Sequence, residues 1–445
     1  MAAKKKMLGA FIAALLAAGG AYYYIYSTDG KVKDIPIPFV EEDNAVTRKD
    51  EPPINVNSPE VHIDRIDENR SGNSEEESQP VSREVLDDTQ LPFAEEYYSM
   101  FLTDEEQLVC RQLYSGVKSF DETVYVENNT VKSDEIVDML VMCVSSAPDI
   151  DYLRPDYAVS VDADGFVTAI DVNYSCTPEE HDSRKAQLDE YIDSVVSAIG
   201  SDWSDFEKYK YIHDTIALAC EYDENGDDAY TAYGCLIGGN AVCEGYSKAL
   251  MLICERAGIP CLPVVGQGFD NEDSQGHIWN KVKLDGEWYA TDVTWDDPIF
   301  ETSDGSYVRY DFFAVTDEII DRNHAADENR FFNYPACSSV ENDYFIHTGC
   351  YAASIYGVDQ AMRNAVELAM STGSEYARIR CGDEETFRQC LDWVFGSGSG
   401  SEDIFAILQE TSERYPEGNY SGYGYSIINN STTYTVSLRL RFNEE

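Results

Sequence analysis

Beyond residue 91 the chain alternates between stretches whose apolar residues recur every three or four positions and shorter ones where they recur every second, which predicts a mixed helix and strand fold. Helical spacing runs over 93–113, 133–144, 179–199 and 203–220, the second opening on Ser133 as a cap. Strand spacing runs over 123–126, 157–161 and 166–172, the last two joined by Asp164-Gly165, a hairpin signal. Further on, Tyr246, Ala249, Leu250, Ile253 and Ala257 form one apolar stripe that Gly258 and Pro260 stop, so a helix begins close to Cys243. Residues 276–298 read as two alternating arms about Asp285-Gly286. A regular hairpin there pairs Leu284 with Glu287, Trp279 with Asp292 and His277 with Thr294. Residues 310–320 and 344–352 continue that unit. After about Ser354 the pattern gives helices at 359–371, 384–395 and 402–415, strands at 375–380, 422–428 and 432–441, and a Gly-Ser loop at 396–401.

The N-terminal ninety residues differ. Lys4, Lys5 and Lys6 precede an uncharged run from Met7 to Tyr26, about the length of a bilayer-spanning helix, with tyrosines from Tyr22 to Tyr26 suited to the outer interface. This predicts a membrane anchor over 1–26, with the basic flank in the cytoplasm and the remainder outside the cell. A cleaved signal peptide, with small residues near Gly19 to Ala21, is the alternative, and both readings export the chain. Over 27–92 Pro, Asn, Ser, Asp and Glu dominate and aromatics are scarce, which predicts a disordered acidic tether. The class is then α+β in three folded segments: an N-terminal unit over 93–178, a central domain over 179–353 and a small C-terminal unit over 354–445.

Charge narrows the partners. Lys plus Arg number 32 against 83 Asp plus Glu, a formal charge of −51. Phosphate binding needs the opposite sign, so nucleic acid is excluded, whereas a protein or peptide substrate, a basic one above all, is attracted. Twelve cysteines are spread from Cys110 to Cys390 without a CxxC pair or the dense spacing of a stapled scaffold. Several read as buried thiols, and Cys381 with Cys390 is a candidate pair.

Cys243 stands out by position. An ordinary thiol, with pKa about 8.5, is only a few per cent ionised at neutral pH, and a helix start beside an imidazolium lowers that value by several units. The flanking Gly238, Gly239 and Gly245 allow a substrate backbone to approach. In the hairpin register His277 and Asp292 share one sheet face as diagonal neighbours, so the carboxylate can fix the imidazole tautomer. A slip of one residue would send them to opposite faces. Trp279 shares that face and is a candidate wall of the substrate slot; Tyr233 is a candidate oxyanion donor beside the Cys243 backbone N–H. His213 and Asp214 are adjacent in a helix and point apart, which suits a satisfied structural histidine. Residues 223–228 (DENGDD) fail as a calcium loop because Asp228 stands where glycine is needed, so no metal or other cofactor is implied.

The strings AVCEGYSKAL, GHIWNKV and YATDVTWDDP, in that order, resemble the three signature segments of bacterial transglutaminase-like domains. The resemblance runs from about Asp205 to Ala352, takes in KYIHDTIALACEYD and YDFFAVTDEIIDRNH, and weakens back to Phe93. It implies a papain-like α+β core, a helix-start cysteine packed on an antiparallel sheet that carries histidine and aspartate. It also implies a Cys-His-Asp triad, which falls on Cys243, His277 and Asp292. A thiol enzyme of this kind acts on amide or peptide bonds through a thioester, resolved by water in a protease or amidase and by a primary amine in an acyltransferase. The alternative is a catalytically silent fold serving as a cell-surface binding or scaffold module.

Overall fold

The computed structural model describes residues 10–17, 20–27, 32–33, 60–65, 89–126, 130–226, 228–270, 273–297, 308–395, 400–415 and 425–440. The chain divides into two compact units, one of residues 49–339 and one of residues 1–48 with 340–445.

The larger unit is built around a four-stranded antiparallel sheet and the helices against it. Two of these helices, Pro178–Ser197 (α1) and Asp205–Ala219 (α2), begin on capping boxes at Thr177 and Ser204, where each hydroxyl accepts from the third helical N–H and a glutamate returns the bond. Helix Cys243–Ala257 (α3) follows and ends at Gly258, whose φ of +75° is the left-handed cap that glycine adopts without strain. The strands are Cys261–Asp270 (β1), Asp273–Leu284 (β2), Glu287–Thr291 (β3) and His324–Ala326 (β4), in the order β3-β2-β1-β4. The turn between β2 and β3 places Asp285 at φ +51° and Gly286 at φ +87°, the two positive angles that the Asp-Gly signal foretells. Helix α3 packs across β1 and β2, and of its predicted stripe Tyr246, Ala249, Leu250 and Ile253 are buried while Ala257, at the end of the helix, is half-buried. This is the α+β arrangement expected, a helix that starts on cysteine laid over an antiparallel sheet.

Residues 93–178 fold within the same compact unit, and the Tyr98 hydroxyl donates to Pro263 O of β1 at 2.7 Å. The single helix expected over 93–113 is two, Phe93–Ser99 and Asp104–Lys118. Thr103 and Glu106 form a capping box that starts the second afresh. Strands Asp156–Val161 and Val167–Asp171 pair as expected about Gly165. Most of the tether over 27–92 lies outside the described residues. Within it Glu60–Arg65 is a strand paired in parallel with Asp156–Val161, its Val61 and Ile63 alternating with polar residues as an edge strand requires.

In the other unit, strands Tyr376–Cys381, Tyr425–Asn430 and Thr435–Leu440 form a sheet with helices Ile355–Thr372, Glu384–Phe395 and Gly400–Arg414. The apolar run expected as one spanning helix is instead two antiparallel strands, Ala10–Ala17 and Gly20–Ser27. The β-favouring tyrosines of the second half agree with that form. Among the described residues no helix is long and apolar enough to cross a membrane.

Candidate active site

Cys243 is the first residue of α3 and is fully buried. Val242 before it is extended, and its N–H donates to Ala229 O at 3.0 Å. A Cβ on Gly245 would lie 2.8 Å from Ala229 O and 2.9 Å from Thr231 O. The close approach at this glycine is therefore made by the chain's own backbone, not by a substrate as expected. Stretch 229–231 thus lies over the head of α3. Its Tyr230 is 37% exposed, and its hydroxyl pKa is raised by burial and then by the neighbouring Glu244 and Cys243.

The β2–β3 ladder follows the predicted register from Leu284↔Glu287 to Asn280↔Thr291 and stops there. His277 and Thr294 do not pair. Asp292 instead caps the short helix Val293–Asp296, its Oδ1 accepting from Trp295 N–H at 3.1 Å, and this turns the chain out of the sheet. The turn leaves Oδ2 facing His277, whose Nε2 lies 2.7 Å away, with both residues buried. Burial alone would raise the Asp292 carboxyl, but the pairing with His277, reinforced by His324, holds it well below the usual carboxylate range. With Nε2 committed to the carboxylate, Nδ1 is the ring nitrogen through which His277 can exchange a proton with a thiol. Helix α3 and strand β2 are tied beside it. Asn280 Nδ2 donates to Ser247 Oγ at 2.9 Å, one turn beyond Cys243 and three residues beyond His277.

His324 is the residue that sequence reasoning missed. Its Nε2 lies 3.0 Å from the same Asp292 Oδ2, and its Nδ1 lies 3.2 Å from Ile320 O. The register explains how two imidazoles reach one oxygen. His277 on β2 lies opposite Gly266 of β1, and His324 on β4 opposite Gly268, so the rings flank a strand that carries no side chain at either position on that face. A Cβ on Gly268 would come within 3.1 Å of the Trp295 ring and 3.3 Å of His277 Cβ. The alternating glycines of VVGQGFD were the available signal. The ligating atoms of His277, Asp292 and His324 lie within 4.8 Å of one another, as do those of Glu95, Cys110 and Cys143 elsewhere. The direct hydrogen bonds to Asp292 account for the first cluster without an ion.

Trp279 is 3% exposed and belongs to the apolar cluster of Val264, Ala290, Phe312, Val315 and Ile320, with its ring 6.0 Å from that of His277 and nearly parallel to it. Tyr233 lies over Arg184 of α1 and donates its hydroxyl to Gln187 Oε1 at 3.3 Å. It lines a cavity of about 500 Å³ with Tyr114, Asp149, His181 and Arg256, whose lining includes none of Cys243, His277 and Asp292. His213, buried in α2, is held between Asp214 and Asp296, its Nε2 3.1 Å from Asp296 Oδ2. Burial lifts the Asp296 carboxyl to about 7 against the pull of His213.

Residues 193–293 match the family model of the transglutaminase-like superfamily. No curated protein matches. Among solved structures, a proposed cysteine protease from Cytophaga hutchinsonii is 19% identical at a TM-score of 0.22, over 29% of this chain and 52% of its own. A structure described as a TGase is 13% identical at a TM-score of 0.24, over 44% of this chain and 50% of its own. The chain thus spans about half the length of either. The segment matched by the family model holds α2, α3, β1, β2 and β3 together with Cys243, His277 and Asp292, and the protein accordingly carries a transglutaminase-like domain.

Proposed function

We propose that the domain is a thiol acyl-transfer enzyme acting on carboxamide or peptide bonds, with Cys243 as nucleophile, His277 as its base and Asp292 as the group that orients His277. The observation that carries this reading is the buried 2.7 Å contact of His277 Nε2 with Asp292 on a strand against which the helix headed by Cys243 packs. In this mechanism Asp292 fixes the proton on Nε2, and Nδ1 takes the thiol proton. The thiolate, favoured by the first-turn N–H groups of α3, adds to the carbonyl. Collapse expels the amine, which leaves with the proton from Nδ1, and a thioester remains on Cys243. Water or a primary amine then resolves it. The negative field favours basic protein or peptide substrates. An exported location remains our reading of the Lys4 to Lys6 flank and the uncharged run after it.

Complete burial of the Cys243 side chain is the one observation on the side of a binding module. The two readings part in a single experiment. The full chain is incubated with a labelled primary amine and basic glutamine-containing peptides, and products are weighed beside a Cys243→Ala control. Cleaved, deamidated or amine-linked peptide that the control lacks supports the enzyme, and peptide retained unchanged by both proteins supports the module.

A further inference from the structure

Three helices of the larger unit bring one acid and two thiols together. Glu95 lies on helix Phe93–Ser99, Cys110 on helix Asp104–Lys118 and Cys143 on helix Ile136–Ser146. They are 1%, 0% and 2% exposed. Cys143 Sγ donates to Cys110 Sγ at 3.3 Å, and a carboxylate oxygen of Glu95 lies within 4.8 Å of both sulfurs. Neither oxygen of Glu95 has a hydrogen-bond partner among the described residues. A charged carboxyl is left unsatisfied there, and so is a neutral one, which must still place its O–H; native cores seldom carry such a cost. Packing of two small apolar thiols accounts for the sulfurs and leaves the carboxyl unexplained.

We propose that Glu95, Cys110 and Cys143 form a binding site for a thiophilic divalent cation, zinc in the first place, which ties the three helices together. Two thiolates select a soft or borderline ion over magnesium and calcium, which take oxygen. Donors on one tetrahedral zinc stand about 3–4 Å apart, so the sulfurs already have that spacing and rotation of the Glu95 side chain brings in the carboxylate. With both carboxylate oxygens bound the shell holds four donors and closes, as structural zinc sites do. Binding replaces two S–H bonds by two Zn–S bonds, and the thiol protons pass to solvent, joined by that of Glu95 where the carboxyl is neutral. Two thiolates and a carboxylate outweigh the cation by one negative charge. Arg111 acts on Glu95 with the sign that offsets it, and Asp149 with the opposite sign. The donors come from separate helices, so no CxxC spacing announces them. Tyr98 holds the helix of Glu95 to Pro263 O of β1, so the tie extends to the sheet that carries His277. None of Cys243, His277 and Asp292 takes part.

The full chain is to be purified without chelator from cells grown with zinc, and weighed by native mass spectrometry. One zinc per chain is expected, and its removal by EDTA should lower the thermal midpoint. Protein from cells grown with cobalt(II) instead should show sulfur-to-cobalt charge-transfer absorption and the strong visible bands of a tetrahedral thiolate site. The ion should be kept in Cys243→Ala and in His324→Gln, which disrupts the other cluster of donors, and lost in Cys110→Ser. Glu95→Gln should weaken zinc by about tenfold or more in competition with a chromophoric chelator while the cobalt–sulfur absorption persists. That variant and the cobalt spectrum of the parent decide the matter if Cys110→Ser fails to fold. A parent chain that holds no ion overturns the proposal, as does an ion bound by Glu95→Gln with undiminished affinity or one lost in His324→Gln. So does peptide mapping without reductant that finds Cys110 and Cys143 joined as a disulfide.

Discussion

Replacing Asp292 with Asn tests the site most directly, because the change keeps shape and reverses hydrogen-bond polarity. Asp292 Oδ1 caps Trp295 N–H, which an asparagine oxygen can continue to do, while Oδ2 faces Nε2 of both His277 and His324. An Nδ2H2 group in that place donates instead of accepts, so the His277 ring must present a bare Nε2 and carry its proton on Nδ1. In that tautomer it cannot take a proton from a thiol. A thiol paired with an imidazolium is almost wholly ionised at neutral pH, and one without that support returns towards a pKa of about 8.5. The ionised fraction then falls to roughly one part in 30 at pH 7 and one in 300 at pH 6. Iodoacetamide labelling of Cys243, followed by peptide mass spectrometry, should therefore slow in D292N by about those factors. It should also acquire a tenfold dependence per pH unit that the parent protein lacks. Thermal unfolding run in parallel establishes that the variant is folded. Labelling of folded D292N within about threefold of the parent at pH 6 refutes the assignment of Asp292 as the orienting group.

Three further outcomes are expected. Gly245→Ala puts a Cβ 2.8 Å from Ala229 O and 2.9 Å from Thr231 O, so its urea midpoint should drop by the equivalent of about 1–3 kcal/mol, and an unchanged midpoint would contradict the packing described. Tyr230→Ala, which thins the stretch over the head of α3, should speed labelling of Cys243 severalfold without moving its pH dependence. The His213–Asp296 pair should give a pH signature. Burial raises Asp296 to about 7, and bonds to Asp214 and Asp296 raise His213 against its own burial. Both folded values exceed the unfolded ones, so the pair's contribution is complete below about pH 4 and lost as pH rises through about 7. The stability of the parent relative to Asp296→Asn should therefore fall over that window by up to a few kcal/mol, and a flat difference in urea midpoints would count against the pair. Asp292, held low, has the opposite sign: its contribution stands above about pH 4 and disappears in strong acid.

What the sequence disclosed and what it withheld divide along the range of the interactions. The start of α3 at Cys243, its glycine stop and the β2–β3 turn follow from residues within a few positions of one another, and each is where the pattern puts it. The pairing of His277 with Asp292 was legible in outcome but not in route, since the ladder ends at Asn280↔Thr291, three pairs short of the predicted His277↔Thr294, and the helix cap at Asp292 completes the reach. His324 was illegible as a partner. It arrives through the pairing of β4 with β1, a contact between segments far apart in the chain that no local period encodes. Gly266 and Gly268 hinted that something must pass over β1 without saying what. The break at Thr103 was legible in TDEE, where a threonine stands three residues before a glutamate, yet the apolar spacing ran through it. Capping chemistry outweighed periodicity.

On the proposed function, a sulfur enclosed at the head of α3 would make acyl transfer a two-step affair, in which the chain first adopts a minor arrangement that admits the acyl donor. If one molecule in a hundred is so arranged, apparent affinity weakens about a hundredfold, roughly 2.7 kcal/mol, relative to the receptive form. A ligand that holds residues 229–231 away from the head of α3 would then remove that handicap and act as an activator, although it touches none of the reacting atoms.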